Sequence, residues 1–261
     1  MSYFTDSRLR QHPLGFWELV DKPSPDELKE YYYKKYYQDA KGSYEHEYSS
    51  DELDYFKAKL SQRWGMIQRI RGDDFSGCIL DVGCGEGFTL AFFRDLGGKV
   101  KGIDFSSYGL HSQNPSCADS LVTGDIFQLL EDEISSGNKY EIVWLQNVLE
   151  HVIDPLGLLE SLRALVAPKG ITVVTVPNDF SIVQKKALEK HYIDRKFWVV
   201  PPDNLSYFDY DSLLKTVNAT GWKCVDIIGD FPIDWFLFHP FANYVNDKNV
   251  GKADHQTRVE L

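Results

Sequence analysis

Short apolar runs that end in turn residues alternate with helix-periodic stretches through the middle of this chain. Ile79-Leu80-Asp81-Val82, Val100 to Asp104, Val122-Thr123, residues 141 to 145 and Ile171 to Val176 read as strands, the first and fourth of them buried. A helix is expected from near Phe88. Another should run from Pro155 to Ala167, with Asp154 as its N-cap and Pro168-Lys169-Gly170 as its stop. Residues 181 to 190 read as helical, and Asp209 should cap a helix that ends at Gly221. Cys224 to Phe231 reads as a sixth strand, and no seventh follows it. Strands alternating with helices in this way predict an α/β fold with a doubly wound, mostly parallel sheet.

The flanks are patterned differently. Ser24-Pro25-Asp26-Glu27 is a capping-box signature for a helix from Pro25 to about Gln38, and Ser49-Ser50-Asp51-Glu52 announces a second that runs to Arg71. The first of these carries Tyr31-Tyr32-Tyr33 and Tyr36-Tyr37, rings with polar tips that either pack the helix onto the sheet or face a cleft. Beyond Phe231 the chain is dense in Trp and Phe, and Asp254 to Leu261 reads as a helix just begun and cut short. The aromatics from Phe231 to Phe241 would then meet further residues or a second copy of the chain, as in a homodimer. Three parts are expected: a helical lid over residues 1 to 71, an α/β domain over 72 to 231 and an aromatic extension over 232 to 261.

Composition narrows the classes of function. The chain has 261 residues, 43% of them hydrophobic, enough for one sizeable core. A net charge of −11 with no dense Lys/Arg cluster argues against a nucleic-acid partner. No run approaches the roughly 20 apolar residues of a membrane span, and Met1 to Asp6 lacks a signal-peptide pattern, so a cytoplasmic location is expected. Cys78, Cys84, Cys117 and Cys224 show neither C-x-x-C pairing nor zinc spacing.

The richest chemistry lies at Asp81-Val82-Gly83-Cys84-Gly85-Glu86-Gly87, where a buried strand enters a glycine-rich turn. Alternate glycines permit positive φ angles and the close approach of a ligand, and the following helix aims its free N–H groups at the turn. A plain strand-to-helix packing turn would also use glycine. Asp81, however, is a carboxylate in an apolar strand and needs a hydrogen-bonding or cationic partner. A nicotinamide-binding turn would read G-x-G-x-x-G, but Phe88 stands where its third glycine belongs. The run resembles the first motif of the class I S-adenosylmethionine-dependent methyltransferases.

That resemblance implies a Rossmann-like fold, S-adenosylmethionine as cofactor and S-adenosylhomocysteine as product. Asp104, at the tip of the second strand beside Phe105, suits a ribose clamp, although an acid there can also cap a helix. By the same resemblance Asp125, with Gly124 and Ile126, would meet the adenine, while Gly83, Cys84, Gly85 and Gly87 form the turn and Gln146 and Asn147 line the loop after the fourth strand. The Leu149-Glu150-His151-Val152 run is similar to the fourth-strand motif of small-molecule methyltransferases, which makes His151 a candidate general base or a loop-bonding histidine. Relatives that bind a divalent metal here use an additional glutamate where this chain has Asn147, so no catalytic metal is expected.

Acceptor-side candidates are weaker. Tyr36 and Tyr44 could close over cofactor and substrate. The segment Pro201 to Phe208 resembles the substrate-side loop of bacterial methyltransferases that act on sugars, with Asn204 at a position where a histidine often stands and Tyr207 nearby. The expected function is therefore methyl transfer to a small-molecule acceptor, an O-methylation of a surface-polysaccharide or sugar precursor. Another small metabolite as acceptor, or a domain that binds the cofactor without catalysis, are the alternatives.

Overall fold

In the computed structural model, residues 6–37, 47–72 and 77–260 are described; Tyr44 lies outside them, and the side chain of Tyr36 is likewise not described. The N-terminal elements are β1 (Leu9–Gln11), β2 (Trp17–Leu19), α1 (Pro25–Tyr37) and α2 (Ser50–Arg71). Then come β3 (Cys78–Val82), α3 (Phe88–Asp95), β4 (Lys99–Asp104), α4 (Tyr108–Gln113), β5 (Leu121–Thr123), α5 (Ile126–Ser135) and β6 (Tyr140–Gln146). The chain continues through α6 (Pro155–Leu165), β7 (Val166–Thr175), α7 (Ile182–Glu189), β8 (Ser206–Tyr207), α8 (Tyr210–Ala219) and α9 (Gly251–Glu260). Two compact units form, one from Pro23 to Val176 and the other from Met1–Lys22 with Pro177–Leu261. Their limits differ from the boundaries at 71 and 231 expected from the sequence, because strands at the two ends of the chain pair with each other.

In the unit from Pro23 to Val176, five strands lie in the order β5-β4-β3-β6-β7, and every neighbouring pair is parallel. Ile79, Leu80, Val82, Ile142, Val143, Trp144 and Leu145 are fully buried, which is why β3, apart from Asp81, and residues 142–145 of β6 read as apolar runs rather than alternating ones. Leu60 and Ile67 of α2 and Phe93 of α3 cluster with Ile79, Ile142 and Trp144. Arg71, at the end of α2, pairs with Glu141 at 2.8 Å. From β3 the chain moves outward through β4 to β5, then returns to place β6 and β7 on the other side. The order thus reverses between β3 and β6, and in open α/β sheets that reversal opens a crevice at the carboxyl ends of the strands.

The other unit holds a three-stranded antiparallel sheet, β1-β2-β8, with Leu9 opposite Leu19 and Trp17 opposite Tyr207. Phe16 packs on Phe208 at 4.8 Å and Trp17 on Phe180 at 5.4 Å. Glu18 is buried between Lys22, 2.7 Å away, and Arg10, 3.0 Å away. Burial opposes its ionisation, yet the two cations hold its pKa below the usual value.

The expected strand from Cys224 to Phe231 does not form. Residues 223–232 make no ladder, and Val225 (58%), Ile227 (39%) and Ile228 (41%) are exposed. β-Branched composition favours a strand only where a neighbouring edge and a packed face are present. The strand expected at Ile171 begins earlier, at Val166, and takes in Pro168 and Lys169. Proline is tolerated there because β7 lies at the edge of its sheet.

Candidate active site

The glycine turn after β3 is built for close approach. Gly83, Gly85 and Gly87 have φ angles of +71°, +52° and +78°. A Cβ on Gly83 would lie 2.4 Å from a methyl of Val148, so the turn and the loop after β6 touch where only hydrogen fits. A Cβ on Gly102 of β4 would lie 2.7 Å from the Cys84 sulfur, which explains a small residue at both positions. Cys84 is buried, and burial followed by the Asp81 and Asp104 charges pushes its thiol pKa up. It is therefore a packing residue, not a nucleophile.

Two carboxyls stand at the ends of adjacent strands. Asp81 is 2% exposed, and burial, then the charge of Asp104, raises its pKa to about 8 against a hydrogen bond from Thr89. Asp104 is 4% exposed; burial raises its pKa too, opposed by backbone donors. Gly85 N–H donates to Asp104 Oδ2 at 2.8 Å and Ser106 N–H to Oδ1 at 2.9 Å. Phe105 N–H also acts on the carboxylate; with about four lone-pair sites on its two oxygens, acceptor capacity remains for a ribose hydroxyl. Ser107, not Asp104, occupies the N-cap of α4.

Asp125 is exposed and caps α5, its Oδ1 accepting Gln128 N–H at 3.0 Å, with Ile126 as the first helical residue. Gly124 N–H donates to Asp104 O at 2.9 Å, which joins the β4 and β5 ends. After β6, Gln146 Oε1 accepts from Arg63 at 2.7 Å, and Arg63 also lies 6.0 Å from the Trp144 ring. Asn147 is exposed at φ +52°. His151 is half-buried, with Nε2 3.8 Å from a carboxylate oxygen of buried Glu150. Among the described residues, no three His, Cys, Asp or Glu side chains converge as a cation site.

Three contributors were not foreseen. Tyr32 of α1 lies tilted 5.7 Å from Phe105 and meets His151 edge-on at 6.0 Å, so one ring spans the tip of β4 and the loop after β6. Its signal, a tyrosine run, could not single out one member. Tyr48 donates to both oxygens of Glu86, at 2.9 and 3.0 Å, and packs on Phe56 and Phe88. An aromatic residue just before a capping serine is a staple position and was legible as such. Asn114 Nδ2 donates to Glu86 O at 2.7 Å and secures the turn from below. Asn204 and Tyr207 belong to the other unit, where both are buried and the Tyr207 hydroxyl donates to Asn204 O at 2.9 Å.

Residues 50–227 match a family described as a methyltransferase domain. The chain belongs to that family. It is 34% identical over 154 residues to the ubiquinone biosynthesis O-methyltransferase of Paraburkholderia xenovorans, covering 58% of this chain and 66% of that one. To the enzyme of the same name from Actinobacillus pleuropneumoniae it is 30% identical over 122 residues, covering 44% and 52%. The chain thus spans less than two thirds of these relatives' length. Among solved structures the [4+2]-cyclase SpnF is 15% identical, covers 92% of this chain and 91% of its own, and has a TM-score of 0.53, a likeness of fold.

The family's cofactor, S-adenosylmethionine, fits the residues present. The Asp104 oxygens keep acceptor capacity toward a ribose, and the glycine turn leaves backbone without Cβ beside them. Among the described residues no helix is long and apolar enough to cross a membrane.

Proposed function

We propose that this methyltransferase-family protein transfers the methyl group of S-adenosylmethionine to a hydroxyl of a small-molecule acceptor. The observation that carries the reading is the Asp104 carboxylate, fixed by Gly85 and Ser106 N–H groups at the switch point between β3 and β6. When bound, the cofactor supplies a methyl group made electrophilic by its sulfonium. Asp104 would hold the ribose hydroxyls, Gly83 to Gly87 would admit the amino-acid portion, and Phe105, Asp125 and Ile126 would flank the adenine. His151, in the loop after β6, would take the acceptor proton at an imidazole nitrogen, with Glu150 beside it favouring the protonated ring. Helices α1 and α2 would act as a lid, with Tyr32 excluding water above His151.

A sugar-type acceptor, as in surface-polysaccharide precursors, is the preferred substrate class, on the resemblance of the Pro201 to Phe208 segment. The names of the sequence relatives favour a second reading, an acceptor in ubiquinone biosynthesis. S-Adenosylhomocysteine release with nucleotide-sugar and phenolic acceptors separates the two. With the acceptor in hand, His151→Ala should lower turnover by roughly a hundredfold or more while cofactor affinity stays within a few fold. Unchanged turnover, or equal losses in rate and cofactor binding, would make His151 structural. No release of S-adenosylhomocysteine with any acceptor would favour a cofactor-binding protein without catalysis.

A further inference from the structure

A second polar centre lies in the unit that pairs the two ends of the chain, four residues beyond the last residue of β7. Asp179 is 4% exposed, Gln184 4% and Trp198 5%. Asp179 Oδ2, Gln184 Oε1 and Trp198 Nε1 are buried without a hydrogen-bond partner among the described residues, although Asp179 and Gln184 bond each other through their remaining atoms. Gln184 is thus tied to Asp179, and the Trp198 ring meets that of Phe180, the residue after Asp179; among the described residues none supplies the partner that these three atoms call for.

Their surroundings close on themselves. The Phe180 ring is 5.4 Å from Trp198, Trp198 5.3 Å from Phe197, and Phe197 5.6 Å from Tyr244. The Tyr244 hydroxyl donates to Asp234 Oδ1 at 2.6 Å, and Asp234 in turn acts electrostatically on Asp179, next to Phe180. Burial and then the Asp234 charge push the Asp179 carboxyl up to about 7, and among the described residues no basic side chain acts on it in opposition. Arg258 of α9 acts on Tyr244 and is hydrogen-bonded to His255 at 2.6 Å.

We propose that Asp179, Gln184 and Trp198, walled by the rings of Phe180, Phe197 and Tyr244, form a binding site for a small molecule that carries a protonated amine beside a hydroxyl. The two unpartnered oxygens need donors, and an ammonium group supplies up to three N–H bonds while offsetting the repulsion between Asp179 and Asp234. The electron-rich ring faces add attraction for the same cation. Trp198 Nε1 is a donor and needs an acceptor, which a neighbouring hydroxyl supplies and an ammonium group does not. Amino sugars and amino alcohols meet all three demands. The site is independent of the methyl-transfer reading and is tested without cofactor.

The test titrates the full chain with D-glucosamine and with D-glucose, its neutral counterpart, near neutral pH, by calorimetry and thermal unfolding. Glucosamine should give a saturable signal and raise the melting temperature, and glucose at equal concentration should give neither. Asp179→Asn should abolish the glucosamine response while keeping the circular dichroism of the native protein, since a neutral amide replaces a carboxylate that no basic side chain among the described residues opposes. Should that variant fail to fold, Trp198→Phe, which keeps a ring and loses the N–H, should weaken glucosamine binding severalfold. Equal responses to both sugars would point to a neutral polyol or water site and overturn the proposal. So would a response that survives Asp179→Asn, or no saturable response to glucosamine.

Discussion

Asp81 and Asp104 show how a candidate site is set up by groups that are costly on their own. Each carboxyl is nearly inaccessible, each sits toward the end of a parallel strand, and the charge of Asp104 makes Asp81 harder to ionise. Thr89 and the N–H groups of Gly85 and Ser106 offset part of this, but burial dominates at both. A consequence for stability follows from Asp81. Unfolded, it ionises near 3.8; folded, near 8. Its contribution to stability is therefore full below the lower value and is lost as pH rises through the upper one. Replacing it by Asn, which does not titrate, should give a melting-temperature difference that moves in favour of the variant from about pH 4 to about 8 and is flat beyond. A difference independent of pH across that window would mean that Asp81 is ionised in the folded protein, with a partner that burial and Asp104 do not account for.

At the scale of elements, α2 is the clearest case of local sequence deciding structure. Glu52 N–H donates to Ser49 Oγ at 3.3 Å and Ser49 N–H to Glu52 Oε2 at 2.9 Å, a reciprocal cap at the start of a helix that delivers Arg63 to Gln146. Ser49→Ala should cost about 1 kcal/mol, lowering the melting temperature by about 2–4 °C for a protein of this size; no change would show that the start of α2 does not contribute to the cooperative unit. The helix was legible because its signal is confined to four adjacent residues. The central strands β3 and β6 were legible because burial on both faces leaves mostly apolar runs between turns. β1, β2 and β8 escaped notice, since strands of two or three residues are too short to show a period of two, and their pairing joins residues nearly two hundred positions apart, Trp17 with Tyr207. The converse failure at Cys224 to Phe231 has the same origin: strand-forming composition does not reveal whether an edge is available. In the site, the acids at strand ends were legible one by one, whereas Tyr32 was not, because which ring of a tyrosine run meets Phe105 and His151 depends on how α1 packs.

For the whole molecule, the division into two units separates the two kinds of chemistry found here. The parallel sheet, with its switch point, glycine turn and carboxyls, lies entirely within Pro23 to Val176. The aromatic and acidic centre around Asp179 lies entirely in the other unit. The central claim is that the first unit binds S-adenosylmethionine through Asp104, and it is tested most directly by thermal unfolding of the wild type and Asp104→Ala over a cofactor titration. A ligand that binds only the native state at a hundredfold excess over its Kd adds about 2.7 kcal/mol of stability, enough for a shift of several degrees. The wild type should show that shift, and Asp104→Ala, with its native circular dichroism retained, should lose most of it. No shift in the wild type, or a full shift in the variant, would contradict the account.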